Sequence, residues 1–479
     1  MGILKALQLL FESLILVVSI TVMLSYAVLA IISAIAIRRY IRATSFVDYN
    51  SILSCPFAPT ISILAPAYNE GNNIIQNVRA LMSLYYSDFE VIIINDGSKD
   101  DTLEKLIAEY DLEKVTYVFD YKIPTKEVRG VYKSRNRSFS RLLIIDKFNG
   151  GKADSLNAGI NLASGKLFVA IDVDCIIESD ALLKLVKPFL EKTNKRVIAT
   201  GGVIRVVNDC VIESGQVARI NLPRKFLPRV QVLEYTRAFL MGRMAWSRLD
   251  GLLLISGALG LFDREVVIAC GGYLASTVGE DMELVIRMRR YMVETGQPYS
   301  VAYIPDPLCW TEVPETRKVL GRQRNRWTRG LIDSLNIHRK IGFNRKYGRF
   351  GMLGYPYWLI FEWFVLVLEV VAIFYFGLAI LFGQANYAFF GIMFGLVYSF
   401  AVSMSVWSIL FEEMSYHKYE SRRDVLRLVV TAFLEPLFYH PMTLYWAVRG
   451  NIDYLSGKHS WGEMARKGFA KAKNPQAGK

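Results

Sequence analysis

Three long apolar runs flank a patterned middle region of the chain. Leu14–Ile37 and Ala388–Phe411 contain no charged residue, and Tyr357–Phe382 is interrupted only by Glu362 and Glu369. Because about 20 apolar residues are enough to cross the hydrocarbon layer of a bilayer, each run is long enough to span it. The pattern therefore predicts three transmembrane helices, one before the middle region and two after it.

Basic residues at the ends of these runs indicate their orientation. Arg38, Arg39 and Arg42 follow the first run, and the segments before the second run and after the third are also rich in arginine and lysine. Basic flanks stay on the cytoplasmic side of a membrane. We therefore expect the N-terminus outside and the middle region in the cytoplasm. The first run is too long for the apolar core of a signal peptide, which favours an uncleaved anchor.

The last apolar stretch, Val425–Val448, is ambiguous. It contains Arg427, Glu435 and His440 as well as two prolines. A fourth span would place the basic tail outside the cell, against the charge rule. We therefore favour a bent interfacial or re-entrant segment with a cytoplasmic tail, and a fourth span stays the alternative. The basic residues of this tail are Lys458, Arg466, Lys467, Lys471 and Lys473.

Between residues 60 and 310, short β-rich runs alternate with helical patterns such as Glu70–Leu84 and Asp154–Leu162. This alternation predicts an α/β fold built on a doubly wound, mostly parallel sheet. Ligands of such sheets bind at the carboxyl ends of the strands. The predicted strands are TISILAP (60–66), FEVIIIND (89–96), VTYVF (115–119) and LFVAID (167–172).

The composition agrees with a cytoplasmic domain joined to membrane helices. Of the 479 residues, 52% are hydrophobic and 21% are charged, which is too apolar for an ordinary soluble protein and too charged for a wholly embedded one. The net charge of +13 suits an anionic membrane surface or a phosphorylated substrate. Without a long basic run or a nucleic-acid motif, no nucleic-acid partner is expected. Five dispersed cysteines favour reduced thiols over a disulfide framework or a zinc site.

Two aspartates interrupt the end of an apolar strand in FVAIDVDCII, residues 168–177. Burying two like charges is unfavourable unless something compensates them. At a strand end, Asp172 and Asp174 can hold Mg²⁺ or Mn²⁺ between themselves and a diphosphate, because hard oxygen ligands suit these ions. The simpler alternative is a pair of solvated loop acids.

Other residues with useful chemistry lie at predicted strand ends and helix starts. Asp96 ends the second strand and can accept hydrogen bonds from a base or a ribose. Lys152 follows two glycines at a helix start, where phosphate binding is favoured. Asp281 begins another helical pattern, and Arg326 and Trp327 offer a charge and a stacking surface on a basic amphipathic stretch.

The order and spacing of PAYNE, NDGSKDD, GGKADSLNAG, DVD, ISGALG, GED and QRNRW resemble a processive family 2 glycosyltransferase over residues 60–330. That group includes the cellulose, chitin, hyaluronan and poly-N-acetylglucosamine synthases. The resemblance implies a GT-A-like fold, a nucleotide-sugar donor, a divalent metal ion and inversion at the anomeric carbon.

The resemblance also implies a role for each matching residue. Asp281 would be the catalytic base, and Asp172 and Asp174 would bind Mg²⁺ or Mn²⁺. Arg326 would contact the diphosphate, and Trp327 would stack under the acceptor sugar. Further contacts are implied to the nucleotide sugar from Ala67, Glu70, Asp96, Lys152 and Asp172, and to the acceptor from Ser256, Gly257 and Glu280.

The leading hypothesis is a plasma-membrane enzyme that polymerises a sugar from a UDP-sugar into a β-linked cell-surface polysaccharide and passes it outward. Glucose and N-acetylglucosamine are both open as the sugar. One alternative is transfer of a single sugar to a lipid-linked acceptor, and another is an inactive homologue that serves as a scaffold. The expected partners are the UDP-sugar, the growing glycan and the bilayer, with a second copy or an export protein to complete a pore.

The expected organisation has five parts. A transmembrane helix in 1–42 precedes a cytosolic glycosyltransferase domain in 43–310. Amphipathic interface helices with QRNRW occupy 311–350, and two transmembrane helices occupy 351–412. The remaining part, 413–479, holds the ambiguous segment and the basic tail.

Overall fold

The computed structural model describes residues 2–118, 121–191, 193–213, 215–416, 419 and 421–458. These residues form two compact units. The sheet unit comprises Arg42–Arg224 and Leu252–Val313, and the helical unit comprises Lys225–Gly251 with the described residues of 1–41 and 314–460. The chain therefore leaves the sheet unit at residue 225 and returns to it at residue 252. The tail residues Arg466, Lys467, Lys471 and Lys473 lie outside the described residues.

The strands belong to the sheet unit, and most of them are short and almost wholly buried. They are β1 (Ile61–Ala67), β2 (Phe89–Asp96), β3 (Leu112–Val115), β4 (Val128–Ser134), β5 (Leu142–Lys147), β6 (Leu167–Ile171), β7 (Ile176–Ile177), β8 (Arg196–Val206), β9 (Val211–Glu213), β10 (Gln216–Arg219), β11 (Leu259–Asp263) and β12 (Tyr299–Thr311).

The helices divide between the two units. Three π-helical segments, Thr236–Arg243, Phe350–Gly354 and Trp358–Phe364, occur in the helical unit. The α-helices are α1 (Gly2–Thr44), α2 (Asn50–Leu53), α3 (Ile74–Met82), α4 (Thr102–Tyr110), α5 (Lys152–Leu162), α6 (Ala181–Leu190), α7 (Phe226–Tyr235), α8 (Met244–Arg248), α9 (Arg264–Ala269), α10 (Glu280–Glu294), α11 (Arg317–Ile337), α12 (Tyr355–Tyr357), α13 (Val365–Leu381), α14 (Tyr387–Ser415), α15 (Arg422–Phe438) and α16 (His440–Leu455).

Ten strands form one mixed sheet in the order β3-β4-β5-β2-β1-β6-β11-β8-β12-β7, and β9 pairs with β10 in a separate hairpin. The central strands β5, β2, β1 and β6 run parallel to one another, as do β8 and β12. β11 lies antiparallel between β6 and β8. Most residues are thus paired in parallel, which confirms the predicted α/β fold with a mostly parallel sheet.

The register of the central strands aligns their carboxyl ends. Ala67 of β1 pairs with Asn95 of β2, and Asn95 pairs with Asp146 of β5. β6 runs parallel on the other side of β1. Helix α5 packs closely on this part of the sheet, because a Cβ at Gly159 would lie 3.1 Å from Leu64 and 3.2 Å from Ile94. The loops that leave these strand ends therefore meet at one edge of the sheet.

The third predicted strand is wrong in position. VTYVF was expected at 115–119, but β3 covers Leu112–Val115, residues 116–118 are not in a strand, and Phe119 lies outside the described residues. Helix α4 ends in a left-handed residue, Asp111 with φ 47°, so the chain reverses at once and β3 starts earlier. β3 pairs antiparallel with β4. Buried and exposed residues do not alternate regularly along β4, so its sequence did not indicate where its partner strand begins.

Three helical stretches are long and apolar enough to cross a membrane among the described residues: Lys5–Thr44, Phe350–Leu381 and Tyr387–Ser415. The first coincides with α1, and the second combines two π-segments with α12 and α13. They contain almost all of the three predicted spans, so the prediction of helices that flank the sheet domain is confirmed. Each presents many of its apolar side chains outward, as a lipid-facing helix does.

The ambiguous stretch 425–448 is divided between α15 and α16, which meet at Tyr439. Two ionisable side chains of the apolar segments have partners inside the helical unit. Glu369 lies 2.7 Å from His440, and Glu435 pairs with Arg237. Carboxylates that would be costly in lipid are therefore compensated by protein groups.

Candidate active site

The acids of the DVD motif lie directly beyond the end of β6. Asp172 is half-buried, whereas Asp174 and Cys175 are buried. One ligand atom from each of these three residues lies within 4.8 Å of the others. This spacing fits a single metal ion.

The chemistry of the three donors favours a hard cation held by the two carboxylates. Contact with the Cys309 thiol, together with burial, raises the pKa of the Cys175 thiol well above its ordinary value. A neutral thiol is a poor ligand, and Mg²⁺ and Mn²⁺ prefer oxygen. Asp172 and Asp174 therefore fit the predicted metal, and Cys175 fits the reduced buried thiol expected from the sequence.

Lys152 lies at the start of α5 and reaches across to the first of these acids. Gly151 precedes it with φ 86°, a conformation that favours glycine. The Lys152 ammonium donates to a carboxylate oxygen of Asp172 and to the Gly257 carbonyl oxygen at 3.0 Å. Lys152 thus compensates the charge of Asp172 and ties it to the ISGALG loop.

Several acids surround this ammonium. Burial opposes its charged form, but the negative charges of Asp172, Glu280 and Asp281 outweigh burial and raise the pKa of Lys152 above its usual value. Glu280 is the buried first residue of α10. Lys152 therefore stays positively charged in this acidic surrounding.

Asp281 is fixed by backbone amides at the start of α10. Its two carboxylate oxygens accept hydrogen bonds from the amide of Gly257 at 3.0 Å and from that of Met282 at 2.9 Å. A Cβ at Gly257 would lie 2.9 Å from the Lys152 nitrogen and 3.5 Å from an Asp281 oxygen. Gly257 therefore lets Lys152 and Asp281 approach the same loop, with the Ser256 hydroxyl accepting from the amide of Ala258 at 3.4 Å.

Asp96 ends β2 and holds the glycine turn before α5. Its carboxylate accepts from the amides of Gly150 at 2.9 Å and Gly151 at 2.8 Å. It also accepts from the Lys147 ammonium at 2.7 Å. A carboxylate offers about four lone-pair positions, and these hydrogen bonds occupy three of them.

The PAYNE and NDGSKDD loops are joined by hydrogen bonds. The amide of Glu70 donates to the Thr102 hydroxyl at 3.0 Å, and that of Gly71 donates to Asp100 at 3.0 Å. Burial acts against ionisation, but hydrogen bonds from Thr102 and from the Gly71 amide lower the pKa of the Asp100 carboxyl. Ala67, buried at the end of β1, and Glu70 therefore lie in a braced loop at the same sheet edge as Asp96.

Arg326 and Trp327 lie on α11 in the helical unit. The Trp327 side chain is 41% exposed, and the Arg324 guanidinium lies 4.1 Å from the centre of its ring. Arg324 is itself held by Glu234 at 2.7 Å and by the Tyr439 hydroxyl at 3.1 Å. One face of the indole is thus covered by a fixed cation, which orients the ring.

A family model described as Glycosyltransferase like family 2 matches residues 58–330, more than half of the chain. The chain belongs to this family. Membership confirms the resemblance to family 2 glycosyltransferases and, with the sheet described above, the predicted GT-A-like fold.

Curated relatives match over about half of the chain. The chain is 29% identical over 270 residues to the poly-β-1,6-N-acetyl-D-glucosamine synthase of Staphylococcus epidermidis, covering 56% of this chain and 54% of the relative. It is 28% identical over 271 residues to the synthase of the same name from Staphylococcus aureus, with the same two coverages. The chain thus matches about half the length of these curated relatives.

Two solved structures of glycosyltransferases align with the chain at low sequence identity. A mannosyltransferase from Pyrobaculum calidifontis, in complex with GDP-mannose and Mn²⁺, aligns with 94% of this chain and 99% of its own at 15% identity and a TM-score of 0.47. Glucosyl-3-phosphoglycerate synthase from Mycobacterium tuberculosis, with Mn²⁺, UDP-glucose and phosphoglyceric acid, aligns with 61% of this chain and 85% of its own at 16% identity and a TM-score of 0.37.

Two residues that brace the candidate site residues were not predicted from the sequence. Lys147 is fully buried and bridges Asp96 at 2.7 Å and Asp154 at 2.6 Å. Arg324 belongs to the same QRNRW motif as Arg326 and Trp327, and its guanidinium covers the Trp327 ring. The signal for Lys147 was its place at the end of an apolar strand, and that for Arg324 was its position three residues before the tryptophan on one helix face.

Proposed function

We propose that this family 2 member is a membrane-bound, inverting glycosyltransferase that polymerises N-acetylglucosamine from a UDP-sugar into a β-linked cell-surface polysaccharide and passes it across the membrane. The observation that carries the proposal is the linked cluster of Lys152, Asp172, Gly257 and Asp281 beside Asp174. The names of the staphylococcal relatives make N-acetylglucosamine the first sugar to test, with glucose the second.

Asp281 is the proposed catalytic base. An acceptor hydroxyl is a weak nucleophile and needs a base within hydrogen-bond reach as it attacks. The amides of Gly257 and Met282 hold the Asp281 carboxylate in one orientation, which keeps lone pairs available for the hydroxyl proton. A single displacement requires only this one carboxylate and inverts the anomeric carbon.

Asp172 and Asp174 would hold Mg²⁺ or Mn²⁺. A divalent ion there would neutralise charge that develops on the leaving UDP. Lys152, which is held charged beside Asp172, would stabilise the same diphosphate, and Arg326 of QRNRW would add a second cation. These phosphate-directed groups favour transfer from a nucleotide sugar over glycoside hydrolysis.

The remaining residues are proposed to bind the nucleoside of the donor and the acceptor sugar. Ala67, Glu70 and Asp96 would contact the nucleoside, Asp96 through its remaining acceptor position. Trp327 would stack on the C–H face of the acceptor sugar, with Ser256, Gly257 and Glu280 lining the rest of that subsite. An indole suits such a face because both are broad and apolar.

The proposed setting is the plasma membrane, with the sheet unit in the cytoplasm. The positive flanks at residues 38–42 and 339–349 support this orientation. The 311–350 region, which includes QRNRW, is proposed to lie along the membrane surface, and 425–448 to be interfacial with a cytoplasmic tail. Three candidate spans within the described residues are few for a glycan pore, so a second copy or an export partner is proposed to complete it.

The test is sugar transfer by the purified full chain in detergent. A panel of UDP-sugars with Mn²⁺ should give UDP release and a growing polymer with UDP-N-acetylglucosamine. Asp281→Asn should keep UDP binding but transfer at least about a hundred-fold more slowly. Glu294→Gln is the matched control. It removes a carboxylate at the other end of α10, and this variant should transfer sugar at the wild-type rate.

Three outcomes would contradict the proposal. Transfer by Asp281→Asn at the rate of the control would remove Asp281 as the base. A wild-type product with only one added sugar on a lipid would favour the single-transfer alternative. Absence of UDP release with every sugar, despite measurable UDP binding, would favour an inactive scaffold.

A further inference from the structure

A groove of about 420 Å³ lies within the helical unit, and none of its lining residues belongs to the candidate active site. It is formed where the C-terminal part of α1 meets the end of α8 and the residue that precedes the second span. Its lining residues are Ile32, Ile35, Ala36, Arg248, Leu249 and Arg349. One side is therefore apolar and the other carries two guanidinium groups.

Sequence position puts this groove at a membrane surface. Ile32 and Ile35 belong to the last apolar turns of the first span, immediately before the basic pair Arg38 and Arg39. Arg349 immediately precedes the second span, Phe350–Leu381. The apolar wall thus faces the depth of the acyl chains, and the arginines lie at the depth of lipid headgroups.

The two groove arginines are available for an external anion. Arg248 and Arg349 are both exposed, and neither forms an ion pair with a carboxylate of the described residues. Arg39 lies four residues after Ile35, about 6 Å further along the same face of α1. A third positive charge therefore lies just beyond the groove.

We propose that this groove binds an anionic phospholipid, with the phosphodiester between Arg248 and Arg349 and one acyl chain along Ile32 and Ile35. Guanidinium groups bind phosphate oxygens in a bidentate manner, and basic pockets between membrane helices on the cytoplasmic side suit such headgroups. A free phosphate would leave the apolar wall uncovered. A zwitterionic lipid carries its own cation, which the arginines would repel.

The test is lipid binding by the purified full chain, measured by native mass spectrometry with phosphatidylglycerol or phosphatidylcholine added to the detergent. Wild type should retain phosphatidylglycerol in preference. In Arg248→Gln/Arg349→Gln the apparent affinity should fall roughly thirty-fold, equivalent to about 2 kcal/mol. Arg345 is an exposed arginine four residues before Arg349 and does not line the groove. Arg345→Gln should therefore change the apparent affinity less than about two-fold.

Two more arms distinguish a lipid site from a free-phosphate site and from a loss of folding. Inorganic phosphate at equal concentration should not displace the lipid, because it lacks the acyl chain. The variant Arg248→Lys/Arg349→Lys should retain more affinity than the glutamine pair, and thermal unfolding in detergent shows whether each variant is folded. The proposal would be overturned if phosphatidylcholine bound as tightly as phosphatidylglycerol, or if inorganic phosphate displaced the lipid. It would also be overturned if Arg345→Gln lost as much lipid affinity as the glutamine pair.

Discussion

The buried ammonium of Lys147 is expected to stabilise the sheet unit more than any exposed ion pair. Its side chain is 0% exposed, and it bridges Asp96 at 2.7 Å and Asp154 at 2.6 Å. Lys147→Met would leave two buried carboxylates close together without their cation. Removing one partner of a buried pair costs about 3–5 kcal/mol, which lowers the melting temperature of a domain of this size by roughly 6–20 °C.

Lys184 offers a matched control, because it also bridges two carboxylates. It lies 2.8 Å from Asp180 and 3.5 Å from Asp306, but its side chain is 19% exposed. Lys184→Met should therefore cost less free energy of unfolding than Lys147→Met, because the side chain of its nearer partner, Asp180, is 44% exposed and water can solvate that carboxylate. Both variants would be compared with wild type by tryptophan fluorescence during heating at one scan rate in one detergent. If Lys147→Met lowered the melting temperature no more than Lys184→Met does, the reasoning would be refuted.

Three further outcomes are expected. Asp174→Ala should weaken UDP binding in Mn²⁺ but change it little in EDTA, and calorimetry that gave equal affinities for variant and wild type in Mn²⁺ would contradict the metal role. Trp327→Ala should shorten the polymer far more than it weakens UDP binding, so an unchanged product length by mass spectrometry would exclude the acceptor contact. Against the effect of burial, hydrogen bonds from Thr102 and the Gly71 amide lower the pKa of Asp100. Its carboxylate therefore stabilises the fold fully above the unfolded pKa of about 3.9 and progressively less as pH falls through the lower folded pKa. The stability difference between Asp100→Asn and wild type should shrink from about pH 4 to pH 2, and a constant difference in denaturant unfolding would count against this.

The strand-end part of the candidate site could be predicted because parallel pairing is a strong constraint. Once β1, β2 and β6 are recognised as neighbours in a parallel sheet, Ala67, Asp96 and Asp172 must leave the sheet at the same edge. Apolar strands and helix starts are readable from short segments, so this part of the architecture needed no knowledge of distant contacts. The helices that flank the sheet domain were predictable for the same reason, since their length and apolarity are local properties.

Residues that depend on distant partners could not be predicted. From the sequence alone, a lysine at a strand end such as Lys147 is expected to be solvated. Its carboxylate partners, Asp96 and Asp154, become neighbours only in the folded sheet. Arg324 became significant only because Glu234 and Tyr439, far away in the chain, hold its guanidinium over Trp327. The local pattern of 225–251 likewise does not reveal that this segment packs with the helical unit. Periodicity reports which face of a segment is buried, but not what buries it.

The charge balance of the acidic cluster shows why a divalent cation suits this site independently of the family. Asp172, Asp174, Glu280 and Asp281 contribute four negative charges when ionised, and Lys152 contributes one positive charge, so the formal sum is −4 + 1 = −3. A diphosphate that approached this cluster alone would be repelled, because like charges in a partly desolvated cleft interact strongly. A divalent ion bound by the two aspartates would reduce the excess to one negative charge and give the diphosphate an attractive partner. Binding by Asp172 and Asp174 would therefore place the charge of the cation between the acidic cluster and the diphosphate, where it would attract the leaving group without removing Lys152 from Asp172.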